Sequence, residues 1–190
     1  MAGYRTTDEA VGDPVVNSYL SQLMRGEVIP LLPQPDGIEL PRYADTLLER
    51  FANPAIGDKL SRLGRRGSTK VPNYVLPSLC QALTEGRPHE MLTLAVAGWF
   101  RFLLGVDEAG EPLEIEDAQR DHLQELARAG GTDPRPLLGD RTLFGDLVDD
   151  GTFVGELEQA LAELAEHGAR ATLEAHLSDR PVLALSLIHI

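Results

Sequence analysis

The stretch PHEMLTLAVAGWFRFLL, residues 88–104, decides the fold class of this chain. Its apolar side chains occupy nearly every face of a helix with 3.6 residues per turn, whereas a helix at the surface carries a single apolar stripe. Proline is tolerated in the first turn of a helix, so Pro88 marks its beginning. The pattern therefore predicts a buried central helix, and Trp99, Phe100 and Phe102 are interpreted as core side chains.

Helical spacing continues on both sides of this central helix. Asp13 and Pro14 form a cap and a first helical residue, and Gly168 is predicted to be a C-cap. Apolar periodicity predicts further helices over residues 13–28, 41–53, 55–65, 76–84, 117–129, 153–167 and 170–177, with residues 70–72 extended. Because no stretch alternates with period two, we predict an all-α fold: a single domain of about eight helices over residues 1–184.

The charge balance argues against a nucleic-acid partner. Lys and Arg number 17 and Asp and Glu number 30, which gives a net charge of -13, and such a surface repels phosphate backbones. The segment GRRG at residues 64–67 is similar to the clamp of KH RNA-binding domains, but those need a sheet that the pattern lacks. No apolar run is long enough to cross a bilayer, so a membrane is not expected either.

The residues offer no metal site, cofactor site or catalytic group by themselves. There is one cysteine, Cys80, and the five histidines lack metal-ligand spacing. The sequence contains no Gly-x-Gly-x-x-Gly, no phosphate-binding loop and no Gly-x-Ser-x-Gly elbow. Cys80 is interpreted as an inert packed thiol, and a single thiol fits a reducing cytoplasm.

One segment is unusual for so acidic a chain: RFANPAIGDKLSRLGRRGSTKVP, residues 50–72, which carries six basic residues. Within it, Arg62 and Lys70 are candidates to converge on one polar ligand, because Arg presents a planar fork of donors and Lys a mobile point charge. The alternative is an exposed helix whose basic last turn is favoured by the helix dipole. The residues alone leave both interpretations open.

Several segments together resemble a known family. Residues 3–11, 50–58, 67–72, 97–101, 105–108 and 167–172, in this order, are similar to the C-terminal domain of the mannitol dehydrogenase family. This family comprises polyol-specific long-chain dehydrogenases and includes fructuronate reductase. The resemblance covers about residues 2–178 and implies an all-α domain similar to the C-terminal domain of 6-phosphogluconate dehydrogenase.

The resemblance also implies a function. Family members are NAD-dependent oxidoreductases without a metal that interconvert a polyol or aldonate, of mannitol, arabinitol or mannonate type, and the keto sugar or keto acid. Their substrate-binding Arg and Lys fall on Arg62 and Lys70, whereas Arg66 stands where many relatives carry Asp. Their catalytic Lys-x-x-x-x-Asn-x-x-His motif and NAD-binding Rossmann domain are expected upstream of Met1. This chain would then contribute substrate binding and cleft closure and be inactive alone.

The last six residues of the chain do not fit the helical pattern that precedes them. Residues 185–190, LSLIHI, match the translated sequence of a transposase adapter used in sequencing libraries, so we expect them to be a tail of adapter origin. The expected partners are a small polyol or sugar acid and the missing N-terminal domain. The alternative from another class is a free-standing helical interaction module without catalysis.

Overall fold

The computed structural model describes residues 3–178, and within them we find α-helices, short π- and 3-10 turns and two isolated bridges, but no sheet. The helices are α1 (Thr7–Gly12), α2 (Pro14–Gln22), α3 (Leu40–Phe51), α4 (Leu60–Leu63), α5 (Gly67–Lys70), α6 (Leu76–Glu85), α7 (Glu90–Leu103), α8 (Arg120–Gly130), α9 (Arg135–Leu138), α10 (Arg141–Phe144) and α11 (Gly151–Ser178). The predicted all-α class is confirmed. The proposed adapter tail lies outside the described residues.

Helix α7 is central, as its sequence predicts. Eight of its side chains are buried, and the helix packs along α11. Phe100 meets Phe144 edge to face, with ring centroids 5.4 Å apart, a preferred arrangement for two aromatic rings. The core therefore forms around α7, with leucine and alanine side chains of α6, α8 and α11 filling it.

The start of α7 is fastened by a buried carboxylate. Glu27 lies in a π-helical turn (Leu23–Val28) that continues α2, and its side chain is 2% exposed. Its two oxygens accept hydrogen bonds from the amides of Met91 and Leu92, at 3.0 and 2.9 Å. The first amides of a helix have no partner within the helix and carry a positive partial charge. Glu27 therefore supplies both the missing acceptors and the favourable charge.

Two predicted segments differ in the structure. The helix predicted over residues 55–65 is reduced to α4, because Asn53 closes a turn by accepting the amide of Ala55 at 2.9 Å. Residues 70–72 were predicted to be extended but are helical: α5 runs into a π-helical turn (Val71–Val75) and then into α6. Pro72 is the second residue of that π-helical turn and has no N–H to donate to the preceding turn.

Helix α11 breaks at Gly168, the predicted C-cap. Its φ of 78° and ψ of 167° are outside the helical region and suit glycine. A Cβ there would come within 3.1 Å of the Glu108 carboxyl group, whose Oε1 accepts the amide of Ala169 at 2.7 Å. Glu108 thus caps a new start of the helix, and we call residues 169–178 the C-terminal segment.

Candidate functional site

A cleft of about 920 Å³ is the setting of the predicted site. It lies between the first described residues, α4, α5, α7 and the C-terminal segment. Its apolar lining includes Leu60, Leu63, Val71, Trp99, Phe102, Leu113 and Leu173. Its charged lining consists of Arg5, Glu9, Lys59, Lys70, Glu114 and Arg170. A cleft of this size that combines an apolar surface with a few polar groups is typical of a small-molecule site.

One wall of the cleft is built by pairing the beginning of the chain with the residues before α4. The amide of Thr7 donates to the carbonyl of Asp58 at 2.9 Å, and the amide of Leu60 donates to the carbonyl of Arg5 at 3.0 Å. These two bonds close an antiparallel bridge between Thr6 and Lys59. The pairing places the side chains of both segments along one side of the cleft.

The close approach of Gly67 to Trp99 shapes the middle of the cleft. A Cβ at residue 67 would lie 2.4 Å from the indole Nε1 of Trp99, which is inside contact distance. Only glycine lets the start of α5 rest on the ring. The predicted core role holds for Phe100, but Trp99 and Phe102 are half-buried and also line the cleft.

Helix α5 is held in place by Asp117. Its carboxylate accepts the Ser68 amide at 2.8 Å, the Ser68 hydroxyl at 2.6 Å and the Gln119 amide at 2.9 Å. Burial alone would raise the pKa of Asp117, but the hydrogen bonds from Ser68 outweigh it and hold the pKa below its usual value. Beside it, the amide of Arg66 donates to the carbonyl of Glu116 at 2.8 Å. The position of α5 is therefore fixed from both its backbone and its side chains.

Lys70, one of the two predicted substrate-binding residues, lines the cleft. It is the last residue of α5 and is half-buried. Its Nζ donates to the carbonyl of Leu63 at 2.8 Å. An ammonium group has three donors, so this bond orients the side chain and leaves capacity for ligand hydroxyls.

Arg62, the other predicted residue, is placed differently. It lies on α4 and does not line the cleft, and its side chain is 61% exposed. Its guanidinium forms a bidentate ion pair with Asp58, in which Nε donates to Oδ1 at 2.6 Å and Nη2 contacts Oδ2. The bond from Arg62 lowers the pKa of Asp58. The structure thus brings Lys70 to the cleft but engages Arg62 elsewhere.

A polar network that the sequence did not predict joins Tyr4 and Arg170, two residues that line the cleft. The Tyr4 hydroxyl and the Arg170 Nε both donate to Oδ2 of Asp13, at 2.6 and 2.9 Å. The bonds from Tyr4 and then Arg170 lower the pKa of Asp13 to about 2. Asp13 also accepts the amide of Val15 at 2.8 Å as the cap of α2. That capping role accounts for Asp13 locally, so no sequence signal pointed to a residue 157 positions away.

Neither the elements of a dinucleotide site nor a metal-ligand cluster is found among the described residues. Residues 3–178 form no parallel sheet and no glycine-rich turn from strand to helix, which are the elements that hold NAD in dehydrogenases. The same residues contain no group of three or more His, Cys, Asp or Glu arranged to hold a metal ion. None of their helices is both long and apolar enough to span a membrane.

Comparisons with known proteins agree with the resemblance. Residues 1–165 match the family model of the mannitol dehydrogenase C-terminal domain. The mannitol 2-dehydrogenase of Pyricularia oryzae is 39% identical over 180 residues, which cover 94% of this chain and 36% of the relative. A mannitol dehydrogenase of Saccharomyces cerevisiae is 43% identical over 177 residues, or 92% of this chain and 35% of the relative. The chain thus spans about a third of these relatives' length.

Solved structures show the same fold. Mannitol 2-dehydrogenase of Pseudomonas fluorescens, in a ternary complex with NAD and D-mannitol, superposes with a TM-score of 0.89 at 32% identity. That match covers 94% of this chain and 36% of the other. A D-sorbitol dehydrogenase in substrate-free form superposes with a TM-score of 0.78 at 27% identity, over 90% and 35% of the two chains. This chain therefore belongs to the mannitol dehydrogenase family and has the fold of its C-terminal domain.

Proposed function

We propose that this chain is the substrate-side domain of an NAD-dependent dehydrogenase that interconverts a polyol or aldonate and the corresponding keto sugar or keto acid. The observation that carries the proposal is the position of Lys70, whose ammonium lines the cleft of a fold shared with a mannitol 2-dehydrogenase. A polyol presents many hydroxyl oxygens, and an ammonium group can donate to more than one of them.

The roles proposed for this chain are binding and orientation. Lys70 donates to substrate hydroxyls from within the cleft, and Arg62 offers the donors that its pair with Asp58 leaves unused. Holding a substrate in one orientation lowers the barrier of a later step, because less freedom is lost at that step. The sequence contains no Lys-x-x-x-x-Asn-x-x-His. We therefore assign proton transfer and NAD binding to another part of the enzyme.

Exposed apolar side chains support the proposal that another domain packs against this one. Leu63, which lines the cleft, is 38% exposed, and Phe51 and Ile56, which precede it in the same basic segment, are 36% and 48% exposed. Exposed apolar side chains that form a patch mark a contact with another body. The competing hypothesis, a free-standing interaction module, predicts a monodisperse monomer that does not bind hydrophobic dyes. Size-exclusion chromatography and dye binding on the purified chain distinguish the two.

Kinetics test the assignment of the site. The purified 190-residue chain should not reduce NAD with mannitol, arabinitol or mannonate. In the enzyme that carries this chain, Lys70→Gln removes hydrogen bonds from a charged donor, each worth about 1.5–3 kcal/mol. The KM for the polyol should therefore rise about 10- to 100-fold, while the KM for NAD stays within about twofold because Lys70 has no contact with the cofactor in this proposal.

Arg62→Ala and Arg65→Ala form a matched pair for the second residue. Both arginines belong to the same turn and neither lines the cleft, but Arg65 pairs with Glu116 at 2.8 Å, and only Arg62 stands where the family resemblance implies a substrate-binding residue. Substrate binding should weaken in Arg62→Ala and remain unchanged in Arg65→Ala. Equal effects of the two substitutions would show that Arg62 acts only through its positive charge and not through a direct contact with substrate. Turnover by the purified chain alone would refute the assignment of proton transfer and NAD binding to another part of the enzyme.

A further inference from the structure

A second cavity, of about 490 Å³, lies on another side of α7 and shares no lining residue with the cleft. Its lining comes from residues 86–90, from α7 and from both parts of α11. Five of the lining side chains are ionisable, and four of them form two pairs, His89 with Glu156 and His176 with Glu90. Nothing in the proposed function uses them.

His176, in the C-terminal segment, is held between two carboxylates. Its Nδ1 lies 2.5 Å from Oε1 of Glu90 and its Nε2 lies 2.6 Å from Oε2 of Glu163. A neutral imidazole has one N–H, so one ring nitrogen would turn its lone pair toward a carboxylate oxygen. Both contacts are hydrogen bonds only when the ring carries two protons. The arrangement therefore requires an imidazolium ion.

His89, just before α7, has the same kind of surroundings. Its Nδ1 faces the carbonyl of Arg87 at 2.8 Å, and its Nε2 faces Oε2 of Glu156 at 2.9 Å. A carbonyl and a carboxylate accept hydrogen bonds but cannot donate them. Both ring nitrogens of His89 must therefore also be donors. The cavity thus holds two imidazoles that satisfy their neighbours only when charged.

The groups packed around the two rings come from four parts of the chain and are predominantly anionic or neutral. The buried carboxylate of Glu27 acts on His89 from the π-helical turn, and His167 acts on Glu163 from the end of the long part of α11. Gln159 donates a hydrogen bond to the other oxygen of Glu163 at 2.9 Å, and the guanidinium of Arg87 forms an ion pair with Glu85 at 2.5 Å. The balance around the rings therefore favours protonation.

We propose that His176 is a proton-dependent latch, which fastens the C-terminal segment to α7 and to the long part of α11 and so fixes one wall of the candidate cleft. The segment is bounded by the break at Gly168 and reaches His176 near its other end. Between them, Ala169, Arg170 and Leu173 line the cleft. The latch uses none of the residues assigned to substrate binding, and its test needs no substrate.

The pH dependence of the latch is set by the pKa values of His176 and Glu163. Burial opposes protonation of His176, but the bonds with Glu90 and Glu163 outweigh it and raise its pKa above 6.5. The stabilisation is therefore complete below pH 6.5 and is lost as the pH rises through the raised pKa. The pKa of Glu163 is lowered despite its burial, so at acid pH the latch is lost only as the pH falls through that lowered value.

Hydrogen exchange and a histidine titration on the same chain test the latch. NMR gives the pKa of His176, and exchange of the amides of residues 169–178, corrected for the intrinsic rate, gives their protection. Protection should fall about tenfold for each unit by which the measured pKa exceeds the 6.5 of a free histidine. Acrylamide quenching of Trp99, the single tryptophan, should increase over the same pH range, because it lines the cleft.

Glu163→Gln is the decisive variant. Its amide can donate to the unprotonated ring nitrogen while its oxygen still accepts from Gln159, so the C-terminal segment should stay protected at high pH. His122→Gln is the control, since His122 is 55% exposed and pairs with Asp140 on a different part of the surface. Wild-type protection that does not change with pH, or an undiminished pH dependence in Glu163→Gln, would overturn the latch. Loss of protection without a change in Trp99 quenching would overturn its link to the cleft.

Discussion

Replacing Asp117 with alanine tests whether one carboxylate holds α5 in place. The substitution removes the acceptor of three hydrogen bonds, two of them from Ser68. Ser68 is 8% exposed, so water cannot readily replace the lost acceptor at its amide and hydroxyl. A hydrogen bond to a charged group contributes about 1.5–3 kcal/mol. Counting the two bonds from Ser68 at the lower end, we expect a loss of about 3 kcal/mol in the free energy of unfolding.

Urea denaturation followed by circular dichroism measures this loss. The midpoint should fall while the slope stays the same, because the native surface that unfolding exposes is unchanged. The matched control is Asp121→Ala on α8: that carboxylate is 85% exposed and bonds only its neighbour Arg120 among the described residues. The control should stay within about 0.5 kcal/mol of wild type. A similarly small effect in Asp117→Ala would refute the anchoring argument.

The pH dependence of the same variant provides an independent check. The pKa of Asp117 is lowered from 3.8, so its contribution is present above pH 3.8 and is lost as the pH falls through the lowered value. The stability difference between wild type and Asp117→Ala should therefore shrink in acid. A difference that stayed constant down to the acid transition would show that the stabilisation comes from packing and not from the charge.

Three further substitutions test neighbouring parts of the structure. Gly67→Ala forces a Cβ against Trp99, so we expect a loss of about 1–3 kcal/mol together with a changed Trp99 emission spectrum; an unchanged spectrum would contradict the contact. Glu27→Gln sets an NH₂ group against an amide at the start of α7 and should lower the stability measured in urea by about 2–4 kcal/mol. Arg66 has a left-handed φ of 57°, which glycine adopts at lower cost, so Arg66→Gly should raise the melting temperature by an amount equivalent to about 0.5–1 kcal/mol. A lower melting temperature would show that the Arg66 side chain stabilises the fold by more than its backbone conformation costs.

Periodicity was sufficient to predict the elements that bury their own residues. The central helix, helix α6 and the break at Gly168 were all predicted from local patterns, and the structure confirms them. The prediction was wrong at residues 55–59, where the backbone is held by the distant bonds between residues 5–7 and 58–60. A local pattern contains no information about such a partner. The same limit applies to residues 70–72, whose helical state continues from α5 on one side and α6 on the other.

The candidate site was predictable in its chemistry but not in its geometry. A cluster of basic residues in an acidic chain singled out Lys70, which lines the cleft, and also Arg62, which does not. Trp99 and Arg170 could not be found in this way, because each has a sufficient local explanation, as a core aromatic and as a charge on an exposed helix. Their place in the cleft arises only when helices distant in sequence pack together.

The segments that carry the family resemblance turn out to touch one another. The backbone of Gly67 rests on Trp99, and Glu108 caps the helix start that follows Gly168. Arg101 donates to the carbonyl of Val106 at 3.1 Å and so ties α7 to the next loop. These contacts are close backbone approaches and caps, which set the shape of the cleft without presenting reactive groups to it. The segments that identify the family therefore shape the cleft through these contacts, and one of them, residues 67–72, also places Lys70 in its lining.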